Sequence, residues 1–317
     1  MEPAMKKILI AAALLQVLPH AAAQTARQEP FQAPALLVSG DGGFQRAWLV
    51  EATKSSIRYR ETAVAVDTVN ARLSTLESVF LLEPREFTAA MDLYQARRYD
   101  EAKRRFAEVK ERFMPLYPLE NSHAALAAFY EMECLRKLGD LEGLAAALQK
   151  FDKDPLTRDI QLRQLELYLI WDAVRTQDWD RVEKLVAERA ESRLPGDQRA
   201  QIAWCHGQAL EGLGKPQQAL LAYQTAMTAD AGASEEIARQ AALRVMSILI
   251  NDEDVKQAMK DWGSPSENKT GTGHAMLTEA AAVATLYEMT LGAGMPLPAE
   301  FAGLLKYQAK KEQPEDG

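Results

Sequence analysis

Residues 87–115, FTAAMDLYQARRYDEAKRRFAEVKERFMP, constrain the fold of this chain more than any other stretch. They read as two short amphipathic helices parted by a tight break at Ala96, Arg97 and Arg98. Ala90 and Leu93 precede the break at helical spacing, and Tyr99, Ala102, Phe106 and Val109 follow it. A pair this short cannot bury its apolar stripe alone. It needs copies of itself to stack against, so the later sequence must supply them.

The period is helical from Pro84 onward, and four further pairs can be read. The second spans residues 121–151, with Asn121 as an N-cap by residue type and a break at Gly139 and Asp140. The third follows Pro155, as residues 162–175 and 179–190 parted at Gln177 and Asp178. The fourth, after Pro195, is alanine-rich: AWCHGQALEGLGKPQQALLAYQTAM, residues 203–227. The fifth runs from Ser234, a second cap candidate, through Ile250 to Trp262.

Segments 87–115 and 203–227 resemble tetratricopeptide repeats. Ala90 and Gly207 match that family's small position in the first helix, and Gly214 matches its glycine break. Ala102 and Ala219 match the second-helix alanine, Phe106 and Tyr223 the aromatic one turn later, and Ala226 a further small contact. Small residues are needed because a side chain larger than alanine would push neighbouring helices apart. Leu144 and Val182 stand at the alanine position in the second and third pairs, and Arg97 replaces the first break glycine. From Ala102 through Leu144, Val182 and Ala219 to Val255 the spacings are 42, 38, 37 and 36 residues. The family period is about 34, so some helices or turns are longer here.

The resemblance covers residues 85–262 and implies a right-handed α-solenoid; a non-repeating helical bundle is the alternative. In such arrays the first helix of each pair lines a concave face. By register, the resemblance assigns partner contacts there to Tyr94, Glu133, Arg136, Trp171, Arg175, Trp204, Gln208, Glu211 and Arg244. Aromatic and arginine side chains are the types that anchor interfaces. For Trp171 and Trp204 the competing role is core packing.

Residues 34–84 differ from this pattern. Leu36, Leu37 and Val38 precede a glycine turn at Gly40, Asp41, Gly42 and Gly43. Trp48 and Val50, Ile57 and Tyr59, and Val64 and Val66 then keep a period of two, and residues 79–82 end the run before Pro84. Four or five short strands imply a small, strongly bent sheet or barrel. The strand pattern and glycine turn resemble SH3-like or Sm-like β modules of bacterial envelope proteins. Such a module either binds or shields the first repeat. The expected class is therefore α+β, mainly α. After the repeats come a loop at 263–273, capping helices at 274–309 and a charged, disordered tail at 310–317.

The N-terminus reads as a signal peptide, residues 1–23. Lys6 and Lys7 form its basic region, residues 8–18 its apolar region, and Ala21, Ala22 and Ala23 a cleavage site before Gln24, with a polar linker at 24–33. The apolar run is too short to span a membrane, so no transmembrane segment is expected after cleavage; an uncleaved anchor is the alternative. Export to the periplasm or the outer side of the envelope follows.

Chemistry is sparse. The net charge of −8 is unsuited to nucleic acid. Residues 263–270 approach a phosphate loop, but Asn268 stands where its second glycine belongs and a helical pattern, not a strand, precedes. His123, His206 and His274 lie at no zinc-ligand spacing, and the side chains of Cys205 and His206 diverge on a helix. Cys134 and Cys205 fall in first helices too far apart for a disulfide, so two free thiols are expected. No catalytic residue, metal or cofactor is expected. The reading is a non-enzymatic scaffold of the bacterial cell envelope, binding a protein or peptide on the concave face and similar in general form to repeat proteins of outer-membrane assembly and pilus biogenesis. Two rivals stand beside it: a periplasmic enzyme or small-ligand binder with its site between the β module and the repeats, and a self-assembling structural protein.

Overall fold

The structure, a computed structural model, describes residues 31–189, 193–292 and 294–308. The signal sequence and the tail expected from the sequence lie outside the described residues, as does most of the expected linker.

Five strands come first: β1 (Ala33–Ser39), β2 (Phe44–Ala52), β3 (Ser56–Arg60), β4 (Val69–Arg72) and β5 (Leu76–Leu81). All neighbours are antiparallel, in the order β4-β3-β2-β1-β5. Alternation buries Ala33, Ala35 and Leu37 on β1 and Ile57 and Tyr59 on β3. The glycine turn between β1 and β2 closes with Ser39 N–H donating to Gly43 O at 2.9 Å, and Gly42 takes φ +82°.

Two expectations fail here. The sheet is open rather than an SH3-like or Sm-like barrel, with β4 and β5 at opposite edges. Closure needs every strand to tilt and stagger against two neighbours, and among the described residues four-residue β4 pairs only with β3. Val64 and Val66 do not belong to a strand: they are 89% and 88% exposed in the turn region before β4. Alternation over three residues does not say whether a partner strand lies alongside.

Twelve helices follow among the described residues. They open as five successive pairs: α1 (Arg85–Gln95) with α2 (Tyr99–Phe113), α3 (His123–Leu138) with α4 (Leu141–Lys150), α5 (Asp159–Arg175) with α6 (Trp179–Ala187), α7 (Gly196–Gly212) with α8 (Pro216–Ala229), and α9 (Glu235–Asn251) with α10 (Glu253–Asp261). Next come α11 (Thr272–Leu286), continued by a π-helical turn Tyr287–Leu291, and the one-turn α12 (Ala299–Ala302). The near-match to a phosphate loop is a turn segment between α10 and α11, where Trp262 stacks on His274 at 4.9 Å.

In four pairs the first helix ends in the same way. A residue in the left-handed region follows it: Arg97 (φ +61°), Gly139 (+75°), Gln177 (+55°) and Gly214 (+71°). Its own N–H bonds the carbonyl three residues back at 2.9–3.0 Å, and the next N–H bonds the carbonyl five back at 2.8–2.9 Å. Together these bonds satisfy carbonyls that a helix end otherwise leaves unpaired. Five residues beyond each left-handed residue lie Ala102, Leu144, Val182 and Ala219, none more than 2% exposed. The fifth pair breaks differently. Asp252 sits between its helices at φ −71°, and its side chain accepts from Asp254 N at 2.9 Å.

Gly207 is small for a steric reason, because a Cβ there would lie 2.5 Å from the ring of Tyr223, which is fully buried. The cap assignments need correction. Ser122, not Asn121, caps α3 by accepting from Ala125 N at 3.2 Å, while Asn121 turns the chain at φ +50°. Ser234 does precede α9, but its hydroxyl makes no cap bond and points to Asp197 O at 3.5 Å.

The shared turn makes a testable claim about the third pair. A left-handed backbone costs an L-residue about 1–2 kcal/mol, and glycine's greater unfolded-state entropy offsets part of that. Gln177→Gly is expected to stabilise the chain by about 0.5–1 kcal/mol, and Gly139→Ala to destabilise it by about 1 kcal/mol. Both sites are exposed, and a Cβ at Gly139 meets nothing within 4 Å, so the backbone alone is tested. Urea unfolding of both variants should give shifts of opposite sign.

Candidate binding surfaces

Four of the nine expected contact residues come together inside the helical region. Glu133 and Arg136 are one turn apart on α3, which lets the guanidinium grip the carboxylate with two bonds, Nε to Oε1 at 3.2 Å and Nη2 to Oε2 at 3.1 Å. Glu133 also accepts from Tyr168 Oη on α5 at 2.6 Å and from Tyr94 Oη on α1 at 3.3 Å. Arg136 lies over the Trp171 ring at 5.9 Å, and Trp171 Nε1 donates to Gln201 Oε1 on α7 at 3.0 Å. Gln201 and Gln164 then exchange two amide bonds at 2.9 and 3.0 Å.

The same seam reaches α9. Arg136 Nη1 donates to Glu236 Oε1 at 3.2 Å, Lys137 Nζ to the same atom at 3.1 Å, and Arg97 pairs with Glu235. The second helix pair is thereby tied to the start of the fifth. The side chains of Glu133 and Arg136 are only 10% and 3% exposed, so these groups bond one another rather than face solvent. Burial pushes the Glu133 carboxyl up, but Arg136, the hydrogen bonds from Arg136 and Tyr168, and Lys137 outweigh it and hold it below its ordinary value. Burial likewise opposes charge on Arg136, and Glu133 and Glu236 overcome it, raising its pKa.

The other five expected residues lie elsewhere. Arg175 bonds Asp172 and Glu142 at 2.9–3.1 Å. Trp204, Gln208 and Glu211 follow one another along α7, all half-buried. The Trp204 ring sits 5.3 Å from Tyr223, whose hydroxyl donates to Glu211, and Arg244 on α9 binds the same carboxylate with two bonds. Arg244 itself is exposed. This stripe keeps an indole, an amide and a guanidinium at the surface.

A third feature is a cleft of about 840 Å³ where the sheet meets the helices. One wall is β5. The other is the segment around Leu119, Asn121 and His123 with the α4–α5 loop bearing Asp152, Asp154 and Arg158. Lys54 Nζ reaches Asp154 at 2.6 Å across it. His123 packs edge-on to Phe87 and Phe113, and burial lowers its pKa against the pull of Glu83.

Among the described residues no group of three or more His, Cys, Asp or Glu is placed to hold a metal ion. Cys134 and Cys205 are free and buried, and burial pushes the Cys134 thiol up to about 12. No described helix is long and apolar enough to cross a membrane.

Gln164, Tyr168, Gln201, Lys137 and Glu236 belong to the seam without having stood out in the sequence. One signal was available. Gln164 and Gln201 occupy the same place, thirteen residues before Gln177 and Gly214, the left-handed residues of their pairs. A polar residue recurring in register marks two helices whose equivalent positions face each other. Comparison with protein families, curated proteins and solved structures finds no match.

Proposed function

We propose that the chain is a non-enzymatic interaction scaffold of the bacterial cell envelope, holding a protein or peptide partner against its tetratricopeptide-like helix pairs. The observation that carries this reading is the repetition of one hydrogen-bonded turn in four successive pairs, which gives each pair the same break between its helices, as repeated units would have. Export rests on the signal pattern at residues 6–23.

The seam residues Tyr94, Glu133, Arg136 and Trp171 serve the interior, so the partner surface falls to Trp204, Gln208, Glu211 and Arg244, with Arg175 as an outlier. Indole and guanidinium groups suit an exposed peptide or helix of a partner. Glu211 is engaged by Tyr223 and Arg244, which fixes the guanidinium before a partner arrives.

Affinity capture from envelope extract tests this with Trp204→Ala plus Arg244→Ala. Both side chains reach the surface, and thermal unfolding confirms that the variant is folded. Loss of about 1–2 kcal/mol per anchor, at least tenfold in affinity, is expected for one or more captured proteins. Retention of every partner by the folded variant would remove the surface from consideration.

A further inference from the structure

Among the described residues, strand β5 has one side without a partner: it pairs with β1 alone, and no backbone hydrogen bond links residues 77–81 to any other segment. On an edge strand, alternate N–H and C=O groups point outward, a ready template for another chain. All six residues of β5 border the 840 Å³ cleft, odd and even alike. A cavity lined by both faces of a strand runs along its edge. The opposite wall stands across the gap without supplying a strand.

Natural edges are blunted by lysine, proline, a bulge or a covering segment. Residues 76–81 carry neither lysine nor proline; the register with β1 shifts at Glu77, which leaves Ser78–Leu81 as the regular stretch, and Phe80 is 57% exposed. The charges around the gap are uneven. Glu77, Glu83, Glu120, Asp152 and Asp154 face Lys54 and Arg158, and Lys54 is already taken by Asp154. His123 adds no charge at neutral pH, since its pKa is lowered by burial. An unpaired edge gives affinity for any extended chain, and the surplus carboxylates select one carrying cations.

We propose that this cleft binds an extended, lysine- or arginine-bearing segment of a partner protein, which adds to β5 as a sixth strand. Beyond the register shift at Glu77, Ser78–Leu81 offer a regular ladder about 13 Å long. Phe80 and Leu126 seat an apolar side chain, and Glu77 and Glu120, both exposed, meet the cations. The site shares no residue with the Trp204–Arg244 stripe, so either can fail without the other.

The probe is a labelled six-residue peptide alternating valine and lysine. Fluorescence anisotropy should show binding, weakened about tenfold or more by Glu77→Lys plus Glu120→Lys and abolished when alternate peptide nitrogens are methylated. NMR hydrogen exchange should show new protection at alternate amides of β5 with peptide bound. No binding up to about 1 mM, a binding free energy weaker than about −4 kcal/mol, overturns the proposal. So does binding that N-methylation leaves unchanged, or protection outside β5. If the chain alone forms dimers whose β5 amides are already protected, the occupant is a second copy and the proposal is likewise wrong.

Discussion

Replacing Arg136 with methionine is expected to lower the unfolding free energy by about 3–5 kcal/mol, because it strands the buried Glu133 carboxylate without its cation. Methionine keeps much of the arginine stem, so lost volume is the smaller part of the effect. Glu133, with a side chain 10% exposed, loses both guanidinium bonds, and Glu236 is left to Lys137 alone. The cost is a large fraction of the about 5–15 kcal/mol that holds a typical domain folded. Glu133→Leu added to Arg136→Met should recover part of it, since removing both charges also removes the desolvation cost. Recovery will be incomplete because Tyr168 and Tyr94 lose their acceptor.

The pH dependence should separate this from simple loss of packing. In the native chain the Glu133 pKa is depressed below 4.5. Its contribution is therefore present above that value and is lost as the pH falls through the folded pKa. In Arg136→Met the main opposing cation is gone, and burial raises the carboxyl pKa instead. The variant then gains stability by protonation as the pH falls. Urea unfolding should show a larger difference between the two proteins at pH 7 than near pH 4.5. A difference independent of pH would mean that Glu133 is not the group left unpaired.

Phe106→Ala should cost about 3–5 kcal/mol for a different reason, the cavity left in the first pair. The ring is fully buried, stacks on Tyr130 at 5.4 Å and 19°, and meets Phe87 and Tyr94 edge-on at 5.8 and 6.4 Å. Such contacts add about 0.5–1.5 kcal/mol beyond the area buried. Phe44→Ala is the control: that ring is 81% exposed, and its loss should move stability by no more than about 0.5 kcal/mol. Urea unfolding of both variants checks the contrast, and similar costs at the two sites would mean that the aromatic cluster does not anchor the first pair.

What could be read from the sequence was local. The breaks at Arg97, Gly139, Gln177 and Gly214 and the buried positions five residues beyond them depend on hydrogen bonds and packing within a few turns, and such signals survive in one chain. Even Arg97 and Gln177 fit, since the turn tolerates an exposed L-residue in the left-handed region at modest cost. Closure of the sheet was not legible, because it depends on ladder length between strands far apart in sequence. The seam was hidden for a related reason. Glu133, Arg136 and Trp171 have the composition of a binding surface, and only the packing of α1, α5, α7 and α9 around them, as in the approach of α9 to α3, shows that their partners are internal. That approach joins segments about a hundred residues apart, which no single pair encodes. At the caps, Asn121 and Ser122 are equally plausible by type, and backbone geometry chose between them.

The most direct test of the scaffold reading is hydrogen–deuterium exchange of the chain alone and bound to a captured partner. New protection is expected around Trp204, Gln208, Glu211 and Arg244 on α7 and α9, while α3 around Glu133 and Arg136 stays equally protected in both states. Faster exchange in α3 on binding, with no change along α7, would contradict it: the partner would have opened the seam and taken the interior as its site.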